Sequence, residues 1–450
     1  MRTSLYVRHR HHRARIRLGL ARAGTLAVFL GAAGAWMAPQ AIGARGSGYP
    51  ACAKSSRCAR ASSLVSLQSH LSHEMQIAGS ASGAYVYDLS SEQVLFSANP
   101  TVRRPPASVQ KLYTATTALE LMGPSARLET KVLGTGHLSS GGVWEGNLYL
   151  RGGGDPTFGS GSFIASHYGG VGSSVSTLAD QLIKDGIRRV SGKVIGDESY
   201  LDSRRGEPSS NYAFDPYLEG VLSALAFNRG QMGLLKGAHA PAAYAAHKLW
   251  AALRARHVSA MAGSAGGRTP TGSQTLAQVL SPTISELLGL TLPPSDNFFA
   301  ETLLKDLGAR YGANGSTAAG AAVLRRTIAA DFALHPNVVD GSGLSEDDRT
   351  SPYEVVDLLS ELHQHPLGAV LRGDLAVAGE SGTLAQRMRG TAAAGRCEGK
   401  TGTLTGVSNL AGYCQDSAGD ELVFAFFTDG ISIDAAHTIQ DNMAITLAGY

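Results

Sequence analysis

The chain has 450 residues, 43% hydrophobic and 17% charged, which supports a sizeable core in two or three domains and excludes wholesale disorder. Its 55 glycines are about twice the usual share of roughly 7% and follow no triplet period, which excludes a collagen-like chain and points to turns. Net charge is +3, but seven arginines and no acid lie in the first 22 residues, so the remainder carries −4 and lacks the basic excess of an electrostatic nucleic-acid binder.

In chain order, residues 1–44 read as an export signal. A basic stretch over 2–22 is followed by an uncharged, Gly- and Ala-rich run over 23–44, with small residues near Ala41–Ala44 for cleavage. An uncleaved anchor is the alternative, because the run approaches the ~20 residues that span a bilayer. Membrane contact is expected only in that case, and the body is expected to be periplasmic or extracellular. Residues 45–62 read as a small, polar linker. Leu64, Leu67, Leu71 and Met75 then recur at helical spacing over 63–79, with His70 and His73 on the solvated face. Ala84–Leu89 and Gln93–Ser97 read as a hairpin around Ser90-Ser91-Glu92. Pro105-Pro106 precede a helix from Ser108 to Met122, where Val109, Leu112, Thr116 and Leu119 recur every three or four residues.

From 126 to 271 the texture changes. Short alternating runs (Lys131–Leu133, Asn147–Leu150, Arg189–Ile195) are separated by Gly and Ser clusters, as in a β-rich insertion with a few helices such as Ser176–Asp185. Residues 275–310 and 316–334 return to a helical pattern. Residues 396–428 give three strands with a turn at 417–420. A last helix is expected from Asp434 as N-cap, burying Ala436, Ile439, Met443 and Leu447. The fold class is α+β: one domain over 63–125 and 272–450, interrupted by a β-rich inserted region over 126–271.

Four cysteines allow three disulfide connectivities, and proximity in sequence favours Cys52 with Cys58 and Cys397 with Cys414. An exported chain meets oxidising conditions, and neither half has the C-x2–4-C spacing of a zinc site, so disulfides are expected and no metal.

Three short motifs carry chemistry. In Ser108-Val109-Gln110-Lys111, positions i and i+3 share a helix face, so Lys111 can approach the Ser108 hydroxyl. A desolvated, neutral lysine can take a serine proton and make the serine a nucleophile. In Ser295-Asp296-Asn297, Ser295 can relay a proton and Asn297 can bind a substrate amide; alone, the tripeptide reads as a helix cap. In Lys400-Thr401-Gly402, Lys400 and Thr401 can bind a carboxylate, and Gly402 leaves room for a ligand against a strand. The Thr403 and Ser108 N–H groups can together stabilise an oxyanion. Each motif alone is weak, but all three in this order make coincidence on the order of one in a thousand. No G-x-S-x-G elbow is present, and the 14 histidines pair with no special serine, which sets aside a Ser-His-Asp hydrolase.

This set, with its long gap between Lys111 and Ser295, resembles the penicillin-binding D-alanyl-D-alanine carboxypeptidase/endopeptidase family with inserted domains, the class C low-molecular-mass type. The segments 152–157 (GGGDPT), 196–199 (GDES), 223–225 (SAL), 340–345 (DGSGLS) and 382–384 (GTL) are similar to family segments, and the resemblance runs from about Gly79 to the C-terminus. Asp155 could lie near the site, but a structural turn is favoured there. One departure is Glu346, followed by Asp347 and Asp348, where the family usually carries Arg. The resemblance implies a β-lactamase/transpeptidase-like domain, an antiparallel sheet flanked by helices, acting on peptidoglycan D-Ala-D-Ala peptides. It implies Ser108 as nucleophile, Lys111 as base, Ser295 with a lysine as proton relay, and Asn297, Lys400, Thr401, Gly402 and Thr403 as substrate contacts. β-Lactam antibiotics would acylate Ser108, and no metal or organic cofactor is called for. A β-lactamase of the same fold and a non-catalytic wall-binding protein are the alternatives. If the strands around the third motif pair antiparallel with Cys397 facing Cys414, Gly402 faces Asn409 and residues 403–408 form the turn.

Overall fold

The apolar run 422–427 (LVFAFF) has no polar alternation, which predicts a strand covered on both faces. The computed structural model describes residues 56–230 and 240–450, with side chains from residue 62 onward, and bears this out. The export segment and the Cys52–Cys58 pairing lie outside the described residues. The chain begins with α1 (Ser56–Ala78), β1 (Gly83–Asp88), β2 (Gln93–Ala98) and α2 (Lys111–Met122). Residues 56–62, expected as linker, are helical. Next come β3 (Arg127–Gly134), β4 (Leu148–Arg151), α3 (Val175–Lys184), β5 (Val194–Asp197), α4 (Pro241–Arg254) and β6 (Ser264–Gly266). The chain continues through β7 (Gln274–Thr283), α5 (Ile284–Thr291), α6 (Asn297–Tyr311), α7 (Thr317–Phe332) and α8 (Pro352–Gln364). It closes with β8 (Ala376–Val377), β9 (Cys397–Leu404), β10 (Val407–Gln415), β11 (Glu421–Asp429) and α9 (Ile433–Ala448).

A six-stranded antiparallel sheet has the order β8-β9-β10-β11-β1-β2. Alternate residues of β11 enter different cores. Val423, Ala425 and Phe427 join the helical core with Leu112, Phe298, Leu324 and Val355. Leu422, Phe424 and Phe426 meet Leu67 and Leu71 of α1 and Ile439 and Met443 of α9. A five-stranded sheet, β6-β5-β4-β3-β7, packs one face on α3 and α4 through Val132, Leu150, Leu178 and Leu249. A small four-stranded sheet lies beside it in sequence, made of two- and three-residue strands.

Several expectations are corrected by tertiary pairing. Residues 275–283 fall in the 275–310 stretch expected to be helical, but they belong to the strand Gln274–Thr283. That strand pairs with β3, with Ala277 and Val279 inward and Leu280 45% exposed. That sheet therefore crosses the boundary expected at 271. The run 189–195 is two strands in different sheets, broken where Gly192 backs onto the Gly146 carbonyl. The last helix is capped by Ser432, whose hydroxyl accepts from Ala435 N at 3.3 Å; Asp434 sits in the first turn, where its charge complements the helix dipole. Cys397 does face Cys414 and Gly402 faces Asn409, but pairing continues to Leu404 opposite Val407, so the turn is Thr405-Gly406 rather than 403–408. Gly406, at φ +72°, supplies its left-handed position.

Cys397 and Cys414 form a disulfide that closes a 17-residue separation, buried against α9. Such a loop corresponds to roughly 3 kcal/mol of denatured-state restriction. Reduction, verified by thiol titration, is expected to lower the Tm by several degrees; an unchanged Tm would show that the bridge braces nothing.

Candidate active site

Ser108 stands in a 3-10 turn, Ala107–Gln110, that feeds directly into α2. Ala107 before it is left-handed, φ 48°, a conformation that a residue with a Cβ holds only under constraint. The constraint is visible on two sides. Gly343, φ +83°, lies so close that a Cβ there would fall 1.9 Å from the Ala107 carbonyl oxygen. Asn409 Nδ2 donates to the Pro105 carbonyl at 2.9 Å.

Lys111 is 1% exposed, so it is no surface lysine. Its Nζ donates to Ser108 Oγ at 2.7 Å, Asn297 Oδ1 at 2.6 Å and the Ser342 carbonyl at 2.8 Å. Burial lowers its pKa to about 8, against the opposing pull of Asp340, Glu301, Asp296 and Asp348.

The second motif combines a cap with chemistry. Asp296 is the N-cap of α6, its Oδ1 accepting from Phe299 N at 2.9 Å. Ser295, left-handed at φ 66°, is thereby turned so that its Oγ receives a hydrogen bond from Lys400 Nζ at 2.8 Å. Asn297, expected to bind a substrate amide, already bridges two partners: Oδ1 takes the Lys111 bond and Nδ2 donates to the Tyr217 carbonyl at 2.8 Å.

Lys400 is also 1% exposed, and its Nζ donates to the Thr401 carbonyl at 2.7 Å. Burial first, and the Lys111 charge second, hold its pKa well below the usual lysine range. Thr401 Oγ1 donates to Thr383 Oγ1 at 2.8 Å, which brings the 382–384 segment to the same place. Gly402 was expected to make room for a ligand. The room is taken by the chain itself: a Cβ would lie 2.6 Å from the Pro106 carbonyl and 2.9 Å from Ser108 N. The strand thus backs onto the turn that carries Ser108. Thr403 continues the strand opposite Ser408, with its side chain exposed.

Sequence reasoning passed over the groups beneath Lys111. Buried Glu301 accepts from Gly341 N at 2.8 Å and Ser342 N at 2.7 Å. Asp340 accepts from Gly343 N at 2.6 Å and Ser345 N at 2.7 Å. These bonds shape the 340–345 loop so that the Ser342 carbonyl meets Lys111. Burial, and then Asp340, push the Glu301 carboxyl up to about 8. Arg229 was also missed. It is buried, its Nη2 is paired with Asp296 Oδ2, and its Nε donates to Tyr168 OH at 3.0 Å. Nothing in the sequence marks a lone arginine 67 positions before its partner. Asp155 is held in a turn by Thr157 N at 2.8 Å and Thr157 Oγ1 at 2.7 Å, with Ser173 as a third donor. Glu346 and Asp347 are exposed, whereas Asp348 is buried and accepts from Val339 N at 2.6 Å.

A buried serine–lysine pair, a second serine–lysine pair beside it, and an antiparallel sheet between helical layers define a penicillin-binding serine peptidase. The chain belongs to the D-Ala-D-Ala carboxypeptidase 3 (S13) family, whose model matches residues 64–217 and 218–450. The match begins earlier than the Gly79 expected from the motifs. A D-alanyl-D-alanine carboxypeptidase of Actinomadura sp. (strain R39) is 29% identical over 454 residues, spanning 83% of this chain and 82% of that one. Carboxypeptidase DacB of Mycolicibacterium smegmatis is 30% identical over 382 residues, spanning 80% and 79%. The crystal structure of penicillin binding protein 4 (dacB) from Haemophilus influenzae shares the fold, with a TM-score of 0.71 at 20% identity over 82% of this chain and 96% of that one. The activity is that of a serine-type D-alanyl-D-alanine carboxypeptidase.

Proposed function

We propose that the chain acts outside the cytoplasm on peptidoglycan stem peptides through an acyl-enzyme on Ser108. The observation that carries this reading is the 2.7 Å contact between Ser108 Oγ and a buried lysine whose pKa is brought down to about 8. Neutral Lys111 takes the hydroxyl proton as Oγ bonds to the carbonyl carbon between the two terminal D-alanines. The Ser108 and Thr403 N–H groups face the resulting oxyanion. The C–N bond then breaks, and Ser295 passes a proton, replaced from Lys400, to the leaving amine. The proton that Lys111 took from Ser108 passes to Lys400, so Lys111 is neutral again when water attacks the ester; Lys111 takes the water proton and returns it to Ser108 Oγ as the ester C–O bond breaks and the shortened peptide leaves.

The two lysines have different surroundings. Lys111 sits above buried carboxyls that oppose the lowering of its pKa, whereas burial and the Lys111 charge both act to lower that of Lys400. A substrate carboxylate seated beside Lys400 and Thr401 would supply the missing countercharge and favour the protonated lysine that the relay needs. Cleavage of a cross-link is the same chemistry with a different leaving amine.

Intact mass after incubation with benzylpenicillin tests the reading. One lasting adduct on Ser108 is expected. Rapid loss of penicillin without an adduct would assign a β-lactamase instead, and no reaction would assign a binding protein. The adduct should form faster as pH rises. With a pKa of about 8, only about a tenth of Lys111 is neutral at pH 7, so the rate should climb roughly tenfold and level off above about pH 9. A rate independent of pH from 6 to 10 would remove Lys111 from the role of base.

A further inference from the structure

The five-stranded sheet has one face on its apolar core, and part of the other lines a cleft. On that second face β3 presents Arg127, Glu129 and Lys131 in alternation. Arg151, the last residue of β4, stands directly opposite Lys131 in the antiparallel register. Arg310, in the last turn of α6, faces them, and together they line a cleft of about 460 Å³ walled also by Gly152-Gly153. Four cations and one carboxylate therefore share a concave surface.

Lys131 is paired with Glu129, and Arg127 lies 3.7 Å from Glu286. The Arg151 and Arg310 side chains make no hydrogen bond or close ion pair among the described residues, although the Arg310 charge acts on buried Asp306 one turn back on α6. Like charges directly opposite on a ladder repel, and Glu129 offsets only the Lys131 side of the Lys131–Arg151 pair, so an anion beside Arg151 would relieve the rest. Three guanidinium forks suit carboxylates, which they can bind with two parallel hydrogen bonds. Arg310 and Asn297 lie on one helix, 13 residues apart, which is about 20 Å along its axis. The cleft is therefore separate from Ser108 but within reach of the same polymer.

We propose that this cleft binds the carboxylates of a second, non-reacting stem peptide and holds the peptidoglycan while Ser108 acts on a neighbouring one. The assignment rests on the peptidoglycan reading above. Phosphate-bearing wall polymers share the anionic chemistry, so the test must separate the two sources.

The test is co-sedimentation of the full chain, first acylated with benzylpenicillin, with purified cell-wall sacculi before and after hydrofluoric acid stripping of phosphodiester-linked polymers. Acylation occupies the reaction site, so sedimentation reports the cleft. Binding is expected to survive stripping and to weaken with salt. The exposed double variant Arg151→Gln/Arg310→Gln should bind roughly tenfold more weakly and still acylate at the parent rate. Glu129→Gln, which removes the one carboxylate and frees Lys131, should bind severalfold more tightly. Unchanged binding in both variants would overturn the cleft, and binding lost on stripping would overturn the carboxylate assignment. A parent protein that fails to acylate would overturn the Ser108 reading, while the comparison between variants still reports the cleft.

Discussion

Ser108→Ala is expected to cut D-alanine release by at least about 10⁴-fold and to abolish the penicillin adduct, with the fold intact. The substitution removes one half-buried oxygen whose contact is with Lys111. Lys111 keeps its bonds to the Ser342 carbonyl and Asn297 Oδ1, so it stays anchored. The Tm should therefore move little, which separates lost chemistry from lost structure. Lys111→Met is the companion. It removes the base and leaves two buried acceptors without their donor, so the rate should fall by about 10²- to 10⁴-fold with a measurable loss of stability. A Ser108→Ala protein retaining a tenth of the parent turnover would refute the acyl-serine route.

Arg229→Ala is expected to destabilise the protein by about 3–5 kcal/mol, a large part of an ordinary stability of about 5–15 kcal/mol. Arg229 and Asp296 are both nearly enclosed, with side chains 8% and 9% exposed. Removing the guanidinium strands the Asp296 carboxylate in low dielectric and also leaves Tyr168 OH without its donor. The guanidinium lies 5.4 and 5.5 Å from the Phe299 and Phe298 ring centres, so stacking is lost as well. Because Asp296 caps α6 between Ser295 and Asn297, acylation should slow in the same variant. Arg229→Lys keeps the charge without the fork and should lose less. Adding Asp296→Asn to Arg229→Ala should recover part of the loss, because it removes the stranded charge but keeps a capping side chain. A single-variant loss below 1 kcal/mol in urea denaturation would contradict this account.

Local pattern was enough where one neighbour in sequence decided the outcome. Helical spacing placed Lys111 over Ser108, and the 3.6-residue period picked Leu67, Leu71 and Met75 as the buried face of α1. A single pair of cysteines fixed the register of β9 on β10. The order of three motifs identified the chemistry, because each motif is a short segment whose side chains are set by its own turn or strand. Other features depended on partners far away in sequence. Residues 275–283 fall in a stretch of helical pattern but form a strand, since pairing with β3 outweighs their weak local preference. Glu301 carries no mark in the sequence, and only the loop at 340–345 packed over it turns its carboxylate into a scaffold beneath Lys111. The Gly402 position was read as space for a ligand, and the fold fills it with the backbone of the Ser108 turn. Asn297 and Arg229 gained their partners the same way, from Tyr217 and Asp296 across the tertiary structure. The sequence by itself determined the family and which short motifs make up the candidate site, since that information lies in contiguous segments. Only the tertiary structure decided what holds and tunes them, because burial and the approach of distant charges exist only once the chain has folded.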